Sequence, residues 1–597
     1  MKNDIAYLKQ AGDDKTNDSY TRIGAFLKAT IIKGLTLNAD YTFNINNKTT
    51  KSVGLPVICW NSWGGKLNTP TTAAGANGDT WVYQNSVRDN SYALNVFANY
   101  ELTVAKDHHF NFMIGANAEE GEYQNHWSQR KGLLDDKLPE FNLATGDQTV
   151  GGTHNEWGTA GWFGRINYDY NGIWLLELNG RYDGSSKFPS SDRWAFFPSG
   201  SVGYRISEEK FFGPIKKVVS NTKIRASYGE IGNQAVGSNM YISTVSKRTD
   251  GNTHWLNGSN KVVAYDLPSL VSPTLKWERI QTLDIGGDFG FFNNELNISF
   301  DWYQRTTKDM LAPGQTMPDV LGAGAPKINA GTLRTRGWEL SIDWRHHFNE
   351  VNVYANASIG DFKTVITKWD NDSQLLNENY SGKVYGDIWG FETDRYFTKD
   401  DFNADGSYKE GIASQKKLEQ DGFVYGPGDI KFKDLNNDKE INGGEGTVKD
   451  HGDLKVIGNT TPRYQYGFRL GGEWKGIDID MFFQGVGKCD AWTQSAFVMP
   501  MMRGADAIYA NQANYWTDEN PDPNADFPRM WPGNAGKGTV SVLDLGNHNF
   551  YPQSKYLVNM AYLRFKNLTI GYTLPKDWTR KVYMDKVRVY FSANNIC

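Results

Sequence analysis

The stretch Ile173-Trp174-Leu175-Leu176-Glu177-Leu178-Asn179-Gly180-Arg181-Tyr182-Asp183 sorts its side chains into two sets. Trp174, Leu176, Leu178 and Tyr182 fall on one face; Glu177, Asn179, Arg181 and Asp183 fall on the other. A period of two marks an extended strand whose faces meet different surroundings. The pattern recurs along the chain. In 35–45, Leu35, Leu37, Ala39, Tyr41, Phe43 and Ile45 oppose Thr36, Asn38, Asp40, Thr42 and Asn44. In 335–345, Trp338, Leu340, Ile342 and Trp344 oppose Glu339, Ser341, Asp343 and Arg345. Leu296, Ile298, Phe300 and Trp302 oppose Asn297, Ser299 and Asp301, and Ile477, Ile479, Met481 and Phe483 oppose Asp478, Asp480 and Gln484. These runs hold for about ten residues, against about 5–6 in an ordinary globular strand. Ten tilted residues are about what a strand needs to cross a bilayer.

The connections alternate as well. Lys33-Gly34, Asn171-Gly172, Phe292-Asn293-Asn294-Glu295, Asn349-Glu350 and Lys475-Gly476 read as tight hairpin turns. The intervening links are long, near 46–90, 120–158, 231–276, 305–334, 362–461 and 488–558. Short turns on one side and long loops on the other suit an outer-membrane barrel, whereas a compact soluble domain rarely carries so many long loops. Aromatics gather at the hairpin ends, with Tyr168, Tyr170 and Trp174 at one and Phe289, Phe291 and Phe292 at another, as an interfacial girdle requires. A soluble β-sandwich or propeller would alternate equally well, but it predicts shorter strands and regular spacing or a repeat, and no fixed period of 20–50 residues is found. The reading is an all-β chain: eight hairpins, hence sixteen strands, of a large antiparallel transmembrane β-barrel, with 1–19 as an entering loop or strand remnant and 20–597 as barrel.

Composition narrows the function. Of 597 residues 14% are aromatic, too many for a disordered chain, while only 39% are hydrophobic. No apolar run reaches about 18 residues, so helical membrane spans are excluded. The 63 basic and 68 acidic residues give a net charge of −5, which argues against a general nucleic-acid binder. Cys59, Cys489 and Cys597 are odd in number and far apart, so they read as isolated residues rather than a disulfide framework or zinc site. The start at Met1-Lys2-Asn3-Asp4-Ile5 has no apolar signal core, and Lys586–Ala593 reads as a strand just short of Cys597, so the sequence reads as an internal piece of a longer protein.

Sixteen or more strands leave a lumen too wide for side chains to fill. The polar set expected to line it includes Asn38, Asp40, Glu177, Asn179, Arg181, Asp183, Glu339, Asp343, Arg345, Asp478 and Asp480. Asp434-Leu435-Asn436-Asn437-Asp438-Lys439-Glu440-Ile441-Asn442-Gly443-Gly444-Glu445 places oxygen donors at Asp434, Asn436, Asp438, Asn442 and Glu445, positions 1, 3, 5, 9 and 12 of an EF-hand loop, with Glu440 at position 7. Calcium is therefore the one cofactor it suggests, although Lys439 replaces the glycine at position 6 and the bland alternative is an Asp/Asn-rich turn. Asp401-Phe402-Asn403-Ala404-Asp405-Gly406 starts alike but ends on Ile412. Trp60, Trp63, Trp81, Trp255, Trp389, Trp492, Trp516 and Trp531 are expected in exposed loops, to stack on a ligand, dock a lid or pack the loops together. His108-His109 and His346-His347 read as solvated polar residues beside hairpin turns. No Walker loop, H-E-x-x-H or G-x-S-x-G motif is present, so no catalytic residue is assigned and no enzyme is expected.

A set of ordered motifs goes beyond periodicity. Ser185-Ser186-Lys187-Phe188 is followed by Trp194-Ala195-Phe196-Phe197-Pro198-Ser199 and by Ser201-Val202-Gly203-Tyr204-Arg205. Then come Lys223-Ile224-Arg225-Ala226-Ser227-Tyr228-Gly229, Leu275-Lys276-Trp277-Glu278, Gly337-Trp338-Glu339-Leu340, Gly428-Asp429-Ile430-Lys431-Phe432 and Tyr562-Leu563-Arg564-Phe565-Lys566-Asn567-Leu568. In this order they resemble the barrel of SusC/RagA-type TonB-dependent transporters. The resemblance implies a 22-stranded outer-membrane barrel of which this chain holds strands 6 to 21, with the plug, strands 1–5 and strand 22 missing. It further implies a SusD-like surface lipoprotein as lid, the TonB complex as energy source through the missing N-terminal region, and import of oligosaccharides or peptides. Two other functions compete: a passive porin or adhesin-type barrel, and a soluble all-β glycan-binding protein.

Overall fold

The alternating runs are strands of one large sheet. In the computed structural model, described over residues 8–60, 66–69, 80–247, 256–257, 260–261, 264–272, 274–314, 317–420, 423–495, 497–500, 508–531 and 548–596, sixteen strands pair in chain order. They are β1 (Asp14–Ile32), β2 (Leu35–Gly54), β3 (Trp81–Val104), β4 (His108–Lys131), β5 (Gln148–Tyr170), β6 (Trp174–Ser185), β7 (Trp194–Arg205) and β8 (Val219–Asn233). The order continues with β9 (Glu278–Phe291), β10 (Leu296–Pro313), β11 (Lys327–Phe348), β12 (Val351–Lys368), β13 (Arg463–Trp474), β14 (Ile477–Lys488), β15 (Tyr562–Thr573) and β16 (Arg588–Asn594). The expected sixteen strands are therefore present, each beside its sequence neighbour. By packing, the chain divides into one unit of Met1–Ser201, Gly229–Glu278 and Thr316–Asn329 and another of Val202–Tyr228, Arg279–Gln315 and Ala330–Cys597.

The turns carry the backbone strain that hairpins demand. Asn171 and Gly172 both have positive φ (53° and 70°), as do Lys475 and Gly476 (49° and 88°). Positive φ at both central residues matches the turn to the twist of the flanking strands. At Gly476 a Cβ would also lie 2.6 Å from the Thr573 carbonyl oxygen, so glycine answers two constraints there. The β3–β4 turn uses Ala105 and Lys106 at φ 51° and 71°, which no glycine announces in the sequence.

Several strands outrun the expected bounds: β2 continues to Gly54, β3 and β4 have 24 residues each and β5 has 23. The added portions, such as Asn46-Asn47-Lys48-Thr49-Thr50-Lys51, are polar on both faces, so they carry no alternation. Hydrogen bonding to the neighbouring strand extends them: Thr49 is paired with Ser86 and Lys51 with Gln84.

The apolar face is the uncovered one. Ile114 is 71% exposed, Trp162 64% and Leu178 48%, and Trp174, Leu176, Tyr182, Phe300, Trp302, Leu470, Ile477 and Ile570 are exposed with them. Pairing aligns these side chains across strands, with Trp162 opposite Tyr182, Ile166 opposite Leu178, Ile285 opposite Trp302 and Ile479 opposite Ile570. A belt of this extent is stable against hydrocarbon, not water. On β11 the polar face is open too, with Glu339 and Ser341 exposed.

A hydrophobic core forms away from the sheet's apolar face. It comprises Phe391, Tyr396, Phe397, Phe402, Leu418, Phe423, Tyr425, Ile430, Phe432 and Ile441 from the β12–β13 connection, and Met499, Trp516, Ala525, Phe550 and Tyr556 from the β14–β15 connection. Short ladders tie it together: Asp387–Phe391 pairs with Leu454–Asn459, Thr393–Tyr396 with Ile430–Phe432, and Asp490–Ala491 with Val558–Asn559. The two long loops thus co-fold as one module.

Candidate functional site

On the polar face of β5 and β6, Arg181 holds Asp183 at 2.8 Å and the side-chain Oδ1 of Asn117 at 3.0 Å. Arg165 donates to Asn179 at 2.8 Å, and Asn179 donates to Glu177 at 2.8 Å. Asp40 accepts from Asn95 at 2.8 Å, while the Asn38 amide nitrogen two residues away is buried with no hydrogen-bond partner. In the other unit Asp480 takes Arg469 at 2.6 Å and the Tyr354 hydroxyl, and Asp478 takes Arg588 at 2.9 Å. Asp343 meets Arg345 at 3.3 Å and the Asn356 amide; Glu339 is exposed. Of the polar residues singled out in the sequence, Asp40, Asn179, Arg181, Asp343, Asp478 and Asp480 therefore bond across strands, while Glu177, Asp183 and Arg345 bond within their own strand, each unit by itself.

Sequence reasoning missed the densest of these clusters. Arg225 on β8 reaches Asp301 at 2.6 Å, Asp288 at 3.2 Å and Asp284 at 3.6 Å. The four groups lie on β8, β9 and β10, which only the register brings together; the alternation that put Asp301 on a polar face was the available signal. In the same unit a recess of about 730 Å³ lies against Asp288, Ser299, Asp343, Asn356, Arg469 and Phe482. Phe289, Tyr466, Phe468 and Tyr562 line it too, so polar groups and aromatic rings share its wall.

The tryptophans divide. Trp81 is the first residue of β3 and is buried over Gly54, where a Cβ would overlap its ring; it is not an exposed loop residue, because strand pairing runs further than the alternation did. Trp516 is 3% exposed and packs on Gly428, so it too serves the loop core rather than an open surface. Trp531 donates Nε1–H to Asp429 at 2.8 Å with the Arg529 guanidinium 4.5 Å above its ring. Trp389 donates to the Tyr380 hydroxyl at 3.2 Å, and Trp492 packs half-buried against the loop core. The Trp60 side chain and Trp63 and Trp255 lie outside the described residues.

Asp429 is the hub of the loop module. It is fully buried and accepts from Arg529, Trp531, the Asn549 amide at 2.8 Å and the Gly426 N–H at 2.9 Å. Burial pushes its carboxyl above the usual carboxylate range despite these donors. Tyr396 adds a bond to the Ala525 carbonyl and Tyr425 one to the His548 carbonyl, each at 2.8 Å, so both loops are stitched by buried hydrogen bonds.

In the 434–445 loop, the Asp434 carboxylate accepts the N–H groups of Asn437 (2.7 Å) and Lys439 (2.9 Å), residues that both have positive φ. Asp438 accepts the Glu440 N–H at 2.7 Å and Asn442 the Gly444 N–H at 2.8 Å, while Glu440 pairs with Lys417 at 2.7 Å and Glu445 is exposed. The buried Asp453 pins the loop through the N–H groups of Leu435 and Asn442. At 401–412 the leading Asp401 lies beneath Arg395, at 2.6 and 2.7 Å, and also takes the Thr398 N–H at 2.7 Å. Among the paired histidines, His108 meets the Tyr168 hydroxyl at 2.9 Å, His109 the Thr103 hydroxyl at 3.1 Å and His346 the Glu295 carboxylate at 2.6 Å, while His347 meets the Asn352 side chain.

This strand order, with its uncovered apolar face and paired polar face, has relatives. Residues 3–596 match the family model described as TonB dependent receptor-like, beta-barrel. The chain belongs to this family. It is similar to TonB-dependent receptor P3 of Formosa agariphila, 26% identical over 100% of this chain and 55% of that protein. It is also similar to TonB-dependent receptor SusC of Bacteroides thetaiotaomicron, 24% identical over 87% of this chain and 47% of that protein. In fold it matches the RagAB peptide transporter, with a TM-score of 0.75 at 21% identity over 98% of this chain and 59% of that one. This TonB-dependent receptor barrel spans about half the length of the curated relatives it matches. It is an outer-membrane β-barrel protein; in such barrels the short turns face the periplasm and the long loops face outward.

Proposed function

We propose that this barrel is the wall of an energised importer of oligosaccharides or peptides. It works with a SusD-like surface lipoprotein over the β12–β13 and β14–β15 loops, and with the TonB complex through a region outside this chain. The observation that carries the reading is the polar face, whose carboxylates and guanidiniums are paired across strands beside an open recess lined by polar and aromatic side chains. Such a lining passes polar solutes without holding a fixed counter-ion for each charge. The fold likeness to a peptide transporter and the resemblance to SusC/RagA-type proteins supply the two cargo classes. Trp389 and Trp492, half-buried at the module's edge, are the aromatics proposed to meet a ligand or the lid.

The test is uptake by cells whose only copy is the full-length protein, fed defined oligosaccharides or peptides. Uptake that stops when either TonB or the lipoprotein is removed is expected. Uptake indifferent to both would make the barrel a passive porin.

A further inference from the structure

Among the described residues, one group of three His, Cys, Asp or Glu side chains brings its ligand atoms within 4.8 Å of one another: Glu122, His154 and Glu156. It lies apart from the polar face. On β4 and β5, Glu122 is directly opposite Glu156, Gln124 opposite His154 and Glu120 opposite Gly158, with no register shift along the ladder. Paired residues and every second residue share a face. Glu122, His154 and Glu156 therefore stand on the same face as Ile114 and Trp162, the outer wall.

From His108 at the short turn to Glu122 the strand climbs fourteen residues. At about 3.3 Å per residue and a tilt of about 40°, that is about 35 Å, beyond an apolar band about 25 Å tall. The cluster thus sits above the hydrocarbon, at the level of the outer headgroups.

Two independent features point to a cation. The first is charge: two glutamates directly opposed across a ladder repel. No lysine or arginine pairs with either among the described residues, and Arg88 is in register with Gln124 instead. The second is spacing. His154 Nε2 lies 3.3 Å from the Glu122 oxygen and 3.4 Å from the Glu156 oxygen. Donors bonded to one tetrahedral zinc at about 2.0–2.1 Å stand about 3.3 Å apart.

We propose that Glu122, His154 and Glu156 form an outer-wall site for a divalent transition cation of the zinc class. One imidazole nitrogen and two carboxylate oxygens supply three ligands and leave a fourth position to water or to an anionic headgroup. The rival reading is a protonated histidine clamped by two carboxylates, which binds no metal.

Zinc titration of the full-length protein in detergent micelles, by calorimetry against a competing chelator, separates the two. One equivalent bound at micromolar zinc is expected, weakened at least tenfold in His154→Ala and in the Glu122→Gln/Glu156→Gln double variant. It should be unchanged in His108→Ala/His109→Ala. Cobalt loaded in place of zinc should give tetrahedral d–d absorption that His154→Gln abolishes. Because His154 and Glu156 are exposed and Glu122 is only half-buried, circular dichroism of each variant should match the parent; a variant that misfolds is replaced by His154→Gln. No binding by the parent, or equal affinity in the His154 variants, overturns the site.

Discussion

Asp401 shows how a single carboxylate can anchor an extracellular turn. Burial alone would push its carboxyl up, but Arg395, the Thr398 N–H and the Thr398 hydroxyl outweigh it and hold the group at about 2. A folded value below the unfolded one, about 3.9, means that stability is present above about pH 4 and is lost as pH falls toward 2. Asp401→Asn should remove that dependence, so the stability gap between parent and variant, read as loop protection from an acid-active protease, should be full at pH 5 and close by pH 2. A gap constant with pH would mean that Asp401 acts only by filling space. Calcium at 434–445 is a second residue-scale proposal. It rests on the reversal at Asn437 and Lys439 that aims Asp434 back into the loop. Calorimetry should record heat at millimolar calcium that Asp434→Ala and chelator both remove; a flat trace leaves an Asx-type turn. Neither the Asp401–Arg395 pair nor the spending of Asp434 on backbone N–H groups was legible in the sequence, where both segments offered oxygen donors at suggestive spacings.

Among elements, the strands were legible and the loop module was not. Alternation from Trp174 to Asp183 or from Ile477 to Gln484 states which side meets lipid, because a strand has only two faces. Asn46 to Lys51 states nothing of the kind, and its strand character comes from the partner β3. The module's core depends on contacts between residues about a hundred apart, such as Asp429 with Arg529 and Trp531, and no local pattern encodes them. The same separation gives a prediction. Removing one partner of a buried, hydrogen-bonded pair costs about 3–5 kcal/mol. Arg529→Ala in the β14–β15 loop should therefore expose protease sites in the β12–β13 loop, with both loops cut together, while strands β13 and β14 stay protected. Cleavage confined to the mutated loop would show that the two loops fold separately.

For the whole molecule the decisive quantity is the state of the sheet's ends. Among the described residues β1 pairs with β2 alone and β16 with β15 alone, and both strands are exposed over nearly their full length. In hydrocarbon each unpaired backbone N–H or C=O costs several kcal/mol, and β1 alone has 19 residues. That penalty exceeds the total stability of a typical domain, about 5–15 kcal/mol. The apolar belt favours insertion, but it cannot satisfy two open edges; further strands must do so. The chain by itself should therefore fail to give selective solute uptake in a liposome-swelling assay, whereas a longer polypeptide supplying strands to both edges should migrate as a heat-modifiable barrel. Substrate-selective swelling by the 597-residue chain alone would mean that β1 and β16 find each other in the bilayer and close a sixteen-stranded pore.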